Sequence, residues 1–212
     1  MLSEHAGAVQ HPGPDEPGAA AVDGRSARRE RGRAAAVRAT VELFDEGELR
    51  PSAEAVCGRA GISTASLFRY FGGLDDLYRA AFEQQIARAA QLARVDHVPG
   101  APLEDRVRRF VAGRLDVYEV TVGVGRMGRA RAVDHPDVAL ALDRARAGWL
   151  DQVRDVFRTE LVPMGRSRAT STAAAVDAVA SFEAWELLAV ARDIGRRSID
   201  AHWRTAVTAL LS

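Results

Sequence analysis

The chain has 212 residues, 47% of them hydrophobic, and a formal net charge of zero. This length allows one large helical domain or two small ones with a shared core, and the neutral charge argues against a protein that coats nucleic acid without sequence preference. Because Cys57 is the single cysteine, a disulfide framework and a cysteine-based zinc site are both excluded. We therefore expect a reducing, cytoplasmic location.

Residues 1–24 are rich in Pro, Gly, Ala and acidic residues and show no hydrophobic period. Such a composition is typical of a disordered extension. The segment lacks the basic start and the apolar stretch of a signal peptide, and no apolar run approaches the roughly 20 residues that cross a bilayer. We expect a disordered leader, no export and no membrane partner.

From about residue 25 onward, apolar residues recur at helical spacing between short breaks, which predicts an all-α chain of about nine helices. In the first helix, expected over 26–45, Val37, Val41 and Phe44 form an apolar stripe. A three-helix unit is expected over 25–74, and a larger helical domain over 75–212. The helices of the larger domain are expected at 75–95, 103–122, 125–133, 136–161, 168–193 and 196–211.

Residues 52–71 have the pattern of two short helices joined by a turn that contains glycine. Ser52 and Ser63 are good N-cap residues, and Gly61 supplies the left-handed conformation that ends the first of the two helices. In such an arrangement one helix crosses the DNA backbone while the next enters the major groove. The pattern therefore indicates a DNA-binding helix-turn-helix, and the alternative is an ordinary glycine-containing turn such as any helical protein has.

The second helix of this pair has a buried and an outward face. Leu67 and Phe71, one turn apart, are expected to face the core. The small residues at the start of the helix allow a close approach to base edges. The positions left facing outward are Thr64, Ala65, Ser66, Arg69 and Tyr70.

Residues 36–48 (AVRATVELFDEGE) and 52–85 (SAEAVCGRAGISTASLFRYFGGLDDLYRAAFEQQ) together resemble the DNA-binding domain of the tetracycline-repressor (TetR) family. The resemblance implies two sets of DNA contacts. The positions that would face the major groove are Thr64, Ala65, Ser66 and Arg69. Those that would lie against phosphates or thymine methyl groups are Ser52, Ser63, Phe68 and Tyr70.

Two positions depart from the family's pattern. The family usually has tyrosine where Phe68 stands, so the hydroxyl that would meet a phosphate is missing, and it usually has lysine where this chain has Leu74. We expect a basic segment before the first helix to compensate, with Arg28 and Arg29 at the DNA, since similar arms in the family reach the backbone or the minor groove. The alternative is that this charge run is a solvated face. The segment's arginines are Arg25, Arg28, Arg29, Arg31 and Arg33.

The last two expected helices, 168–193 and 196–211, have more apolar surface than one helical layer hides, and a helical bundle between two subunits would cover it. The resemblance implies the same, since the C-terminal helices of the family form the dimer. The residues assigned to this homodimer interface are Val179, Val190, Trp203 and Val207.

The resemblance also implies a small-molecule pocket. Binding of a ligand there would change the distance between the two reading heads, the three-helix DNA-binding units over residues 25–74 of the two subunits. For each candidate lining residue, ordinary core packing is the alternative. A basic group, Arg126, Arg129 and Arg131, either meets an anionic ligand or faces water. The candidate pocket residues are Phe110, Tyr118, Met127, Trp149, Phe157, Phe182 and Trp185.

No metalloprotease motif, nucleophile elbow or glycine-rich phosphate loop occurs in the chain. His135 precedes Pro136 at an expected helix start, and Glu183 and Glu186 are interpreted as ion-paired surface residues. We expect no enzymatic activity, no bound metal and no cofactor.

The predicted function is that of a sequence-specific transcription regulator, a repressor released from a palindromic operator by a small molecule. The alternative is a helical dimer that senses a ligand or a partner without binding DNA.

Overall fold

The computed structural model describes residues 19–92 and 100–212, and every regular element in those residues is helical. The all-α prediction is confirmed. The expected leader up to residue 18 lies outside the described residues. The α-helices are α1 (Ala19–Asp45), α2 (Ala53–Ala60), α3 (Thr64–Tyr70), α4 (Leu74–Leu92), α5 (Leu103–Ala132), α6 (Pro136–Val156), α7 (Arg158–Leu161), α8 (Arg166–Val179), α9 (Phe182–Glu186) and α10 (Arg196–Leu211).

The first core lies between α1, α2, α3 and the start of α4. Phe44 of α1 and Leu77 of α4 are fully buried in it and meet Val56 of α2 and Leu67 of α3. The apolar stripes predicted for these helices therefore pack together, because each short helix hides its hydrophobic face only against the others. This core fixes the orientation of α3.

The first helix is longer than predicted. It begins at Ala19 and not near Ser26, so residues 19–24, which were expected to belong to the disordered leader, are helical. Alanine is the best helix former, and the run of alanines at 19–21 continues the helix backward past the basic segment. The Pro and Gly residues of the leader favoured disorder, so the sequence did not predict that the helix begins at Ala19.

The glycine-containing stretch over 122–128 was predicted to be a break between two helices, but α5 runs through it without interruption. Its glycines are required by close packing: a Cβ on Gly123 would lie 2.4 Å from the backbone of α1, and one on Gly125 would lie 2.8 Å from the ring of Phe182. A Cβ on Gly128 would similarly lie 2.9 Å from the ring of Phe82. These residues mark contact points of α5 with its neighbours.

Two other predicted helices are divided. The helix expected over 136–161 is interrupted at Phe157, whose ring is buried against Phe110 with centroids 5.2 Å apart. The helix expected over 168–193 stops at Val179, and Ser181 caps α9 by accepting a hydrogen bond from the backbone N–H of Ala184. A π-helical turn, Leu187–Ala191, follows α9.

A second core holds α5, α6, α7, α8 and α10 together. It is built around Phe110, Val176, Ile199 and Trp203, all buried. Since α5 contributes to both cores, it connects the two parts of the chain. None of the helices in the described part of the chain is long and apolar enough to cross a membrane.

Candidate DNA interface and ligand cavity

The turn between α2 and α3 has the predicted caps. Ser52 Oγ accepts a hydrogen bond from the backbone N–H of Ala55 over 3.1 Å, and Ser63 Oγ accepts one from the backbone N–H of Ser66 over 3.2 Å. Gly61 ends α2 in the left-handed conformation with φ of +66°. Each of these contacts satisfies backbone groups that a helix end leaves without partners. The turn is thereby held in one geometry.

The exposed face of α3 carries the residues assigned to base contact. Thr64, Ala65 and Arg69 are exposed, and Ser66 is half-buried. Arg69 donates a hydrogen bond to Ser66 Oγ over 3.1 Å, which directs the guanidinium along the helix face. Phe68 is 48% exposed although it is aromatic. Contact of these residues with DNA remains a prediction.

Tyr70 is only half-buried, but its ring lies against α1. A Cβ on Gly32 would lie 2.7 Å from the Tyr70 hydroxyl oxygen, so the absence of a side chain at Gly32 allows the contact. Arg33 donates a hydrogen bond to the Tyr70 carbonyl over 3.3 Å, and its guanidinium lies 4.8 Å from the centre of the Phe71 ring. Arg33 thus connects α1 to α3. Arg28 and Arg29, nearer the start of α1, are exposed.

A cavity of about 1430 Å³ lies between α4, α5, α6 and the α8–α9 segment. Three of the predicted pocket residues line it: Tyr118, Trp149 and Phe182. The ring of Tyr118 meets that of Phe182 edge to face, with centroids 5.5 Å apart, and that of Trp149 at 6.2 Å. Exposed residues on α6 form part of the wall, so the cavity is open to solvent on that side.

The other four predicted pocket residues do not line this cavity. Phe110 and Phe157 are fully buried in the second core, where they pack on each other. Met127 belongs to the first core, and Trp185 packs in the second core beside Tyr118. Aromatic and long apolar residues at helical spacing fill a core just as well as a cavity wall, so core packing, the alternative reading, describes these four residues in this structure, and their contact with a ligand stays a prediction.

Sequence reasoning missed Arg114, which is buried on the cavity wall. Its guanidinium donates to the Trp149 carbonyl over 2.9 Å, to Asp177 Oδ1 over 3.1 Å and to Gln152 Oε1 over 3.1 Å. It also donates to the Tyr118 hydroxyl, whose pKa is raised by burial. A buried charge is stable only when it is paired in this way. Nothing distinguishes this arginine from the other arginines of α5 in the sequence.

The basic group near the end of α5 is paired within the protein. Arg126 and Arg129 both donate to Glu186, over 2.6 and 3.2 Å, and Arg131 donates to Asp75. The Arg129 guanidinium also lies 3.9 Å from the centre of the Phe182 ring, and burial lowers its pKa. These arginines therefore link helices. Glu186 is ion-paired as predicted but half-buried, and Glu183, which is exposed, pairs with Arg146 over 3.1 Å.

The four predicted interface residues differ in their exposure. Trp203, 2% exposed, and Val207 belong to the second core of the chain, so their contact with a second subunit, which no partner chain tests, stays a prediction that this burial does not favour. Val179 is partly buried against the same core. Val190, in the π-helical turn, is 51% exposed, with Leu187 beside it on the same turn also exposed.

Three solved structures illustrate what the chain is similar to. A putative TetR-family transcriptional regulator from Rhodococcus sp. superposes with a TM-score of 0.67 at 22% identity, over 86% of this chain and 100% of that one. A transcriptional regulator from Rhodococcus sp. RHA1 gives 0.66 at 17%, over 86% and 95%. The multidrug binding protein EbrR, complexed with imidazole, gives 0.58 at 20%, over 87% and 90%.

The sequence itself has no comparable match. No family model matches the chain, and no curated protein matches it. The resemblance of residues 36–48 and 52–85 to the TetR family is nevertheless in agreement with the structural similarity. From α1 to α10 the chain has the fold of the TetR-family transcriptional regulators.

Proposed function

We propose that the protein is a sequence-specific DNA-binding transcription regulator that represses as a homodimer and is released from a palindromic operator by a small molecule. The observation that carries the proposal is the capped helix-turn-helix, which presents the exposed face of α3. Thr64, Ala65 and Arg69 on that face are of the size and chemistry that base edges accept. A chain that only sensed a ligand has no need of this surface.

The DNA contacts follow from the side chains on α3. Arg69 suits a bidentate hydrogen bond to guanine, which is the commonest specific contact of arginine in the major groove. The exposed ring of Phe68 suits an apolar contact with a thymine methyl group. Ser52 and Ser63, at the two helix starts, are proposed to meet phosphates with their hydroxyl groups, and the exposed arginines of α1 to add attraction to the DNA backbone.

The regulatory step is proposed to pass through α5. This helix lines the cavity at Tyr118 and Gly125 and contacts the end of α1 at Gly123. A ligand that separates the rings of Tyr118 and Phe182 would displace α5 against the reading head. The glycine contacts of α5 are closely packed and contain no empty space that could absorb the movement. In a dimer, this displacement would change the distance between the two copies of α3.

Selection of bound sequences from a pool of random DNA duplexes, at moderate salt and without added ligand, tests the proposal. We expect a near-palindromic site whose half-sites lie about one helical turn apart, roughly 10 base pairs. A footprint on the DNA upstream of the protein's own gene provides the physiological counterpart. Recovery of no preferred sequence would favour the alternative, a helical sensor without DNA binding.

A further inference from the structure

We infer that the cavity takes an uncharged, mainly aromatic effector whose carbonyl oxygen accepts a hydrogen bond from the side-chain amide of Gln85. The inference rests on the proposed function for the biological meaning of the ligand, and its evidence lies in the cavity itself. Gln85 of α4 lines the cavity and is 4% exposed. Its Oε1 is buried and cannot be reached from the cavity. The amide group that a ligand can reach is therefore the donor, Nε2.

The two ends of this amide differ in their surroundings. Nε2 has no hydrogen-bond partner among the described residues either, but unlike Oε1 it keeps accessible surface. Turning the amide over would bury its two N–H donors without acceptors in place of one carbonyl oxygen. A buried amide without partners costs free energy that an apolar side chain of the same length would not. A ligand that accepts a hydrogen bond from Nε2 would offset part of this cost.

The other buried polar side chains on the wall already use their donors within the protein. The Tyr118 hydroxyl donates to a backbone carbonyl over 2.8 Å, and Thr121 Oγ1 donates to another over 2.7 Å. All three nitrogens of the Arg114 guanidinium donate to oxygen atoms of the protein. Among the buried polar side chains that the structure describes on this wall, only Gln85 has a donor to offer a ligand.

The charges around the cavity argue against an anionic ligand at Gln85. The part of the wall that α4 contributes has no charged residue, so a carboxylate seated there would lose hydration without a cation beside it on α4. The arginines of the wall lie on α5, α6 and α7, and Arg144 among them is exposed, so that solvent screens its charge. An anion would have to compete with carboxylates for the other four. These pairs are Arg114 with Asp177, Arg129 with Glu186, Arg146 with Glu183 and Arg158 with Asp155.

The apolar part of the wall favours an aromatic framework. The ring of Tyr118 stands at 80° to that of Phe182 and at 69° to that of Trp149, and Ile86 adds aliphatic surface beside Gln85 on α4. Aromatic ligands bind such walls edge to face or in offset stacks. One polar group among apolar walls then fixes the orientation of the ligand. A carbonyl group attached to the aromatic framework supplies the acceptor without a charge.

A fluorescent ketone tests the inference on the full chain without DNA. The probe is 6-propionyl-2-(dimethylamino)naphthalene, which is uncharged, has no N–H or O–H donor and emits at longer wavelength when its carbonyl accepts a hydrogen bond. We expect it to bind the wild type and to emit there at a longer wavelength than when bound to Gln85→Met, which replaces the amide by an unbranched side chain without a donor. Failure of the probe to bind, or equal emission maxima in the two proteins, would overturn the inference.

Three competitors that share the naphthalene framework separate the hydrogen bond from charge. 2-Acetylnaphthalene has the carbonyl, 2-ethylnaphthalene has a methylene group in its place, and 2-naphthoate adds a negative charge. In displacement titrations, Gln85→Met should weaken the ketone by about fivefold relative to the ethyl compound, the usual effect of one hydrogen bond. This ratio cancels the different affinities of the two compounds for water. An unchanged ratio would overturn the inference, as would tightest binding of 2-naphthoate to the wild type.

Two controls connect these effects to the Gln85 amide. Gln85→Met removes an amide that has no partner in the chain, so its unfolding midpoint should not fall, which excludes misfolding as the cause of a weaker ketone. Gln84→Met, at an exposed neighbour on α4, should keep the emission and the affinity ratio of the wild type, and an equal loss there would contradict the assignment. None of these measurements involves an operator. Failure of the DNA selection would therefore contradict the proposed function and leave the ligand assignment standing.

Discussion

The backbone N–H of Gly123, within α5, donates a hydrogen bond to Asp45 Oδ1, at the end of α1, over 3.2 Å. Gly123 also lies so close to α1 that a Cβ there would approach the backbone nitrogen of Asp45 within 2.4 Å. The contact joins the helix that lines the cavity to the helix against which α3 packs. We therefore expect a displacement of α5 to move α1.

Replacing Gly123 with alanine should destabilise the protein, because backbone atoms of α1 cannot move aside as a flexible side chain does. We expect the free energy of unfolding to fall by about 1–3 kcal/mol, the usual cost of overpacking, measured by urea denaturation. Gly148→Ala on α6 is the control: nothing lies within 4 Å of its added Cβ, so stability should hold or rise. Equal effects of the two substitutions would contradict the packing argument.

The charge of Asp45 should make stability depend on pH. Burial raises the pKa of Asp45 above its usual 3.8, although the N–H of Gly123 and the charge of Arg88 oppose this. The folded protein therefore binds the proton more tightly than the unfolded chain, so stability from this group is present at low pH and is lost as the pH rises through the raised pKa.

Asp45→Asn keeps an acceptor for Gly123 without the charge. Its stability relative to the wild type should improve as the pH rises from about 3 to about 6, which urea denaturation at several pH values measures. A constant difference across that range would contradict the assignment of the raised pKa. Asp193→Asn, at an exposed residue near α10, serves as the comparison.

Arg69→Ala should weaken binding to the selected operator by about ten- to a hundredfold, which corresponds to roughly 1–3 kcal/mol, if the guanidinium contacts a guanine. The effect should be much smaller on operators altered at the contacted base pair. Gel-shift titrations measure both affinities. Arg154→Ala on α6, which removes an exposed arginine paired with Asp151, should leave them unchanged, and an equal weakening with that variant would argue for a nonspecific charge effect.

Arg28 and Arg29 should contribute to affinity without reading sequence. Replacing both with glutamine should weaken binding to all duplexes alike and should reduce the slope of log affinity against log salt by about 0.9 for each phosphate that an arginine no longer neutralises. Filter-binding assays across salt concentrations measure this. An unchanged slope would favour the alternative that the basic segment is only a solvated face.

Val190→Asp should disrupt the proposed dimer, because it would place a carboxylate in an apolar patch of the π-helical turn. Sedimentation equilibrium should then show a monomer, with helix content unchanged by circular dichroism. Val133→Asp, at the end of α5 and likewise exposed, is the control and should remain dimeric. A dimeric Val190→Asp variant would remove this residue from the interface.

Local patterns in the sequence determined the conformation of the helix-turn-helix over residues 52–71. The caps at Ser52 and Ser63 and the left-handed turn at Gly61 each depend on one residue and its immediate neighbours, so they could be predicted without the fold. The stripe that includes Phe44 also follows from helical periodicity, and it lies in the first core together with Leu67 and Phe71, which were predicted to face the core. Prediction is reliable here because short-range chemistry decides the conformation.

Only the tertiary structure decided which glycines turn the chain and which permit close packing. Gly61 and Gly123 look alike in the sequence, yet one ends a helix and the other lies inside α5 against α1. The same holds for Tyr118 and Phe110, of which one lines the cavity and the other fills the core, and for Trp203, which is buried within the protomer. Such roles depend on which helices become neighbours, and contacts between residues distant in sequence leave no periodic trace along the chain.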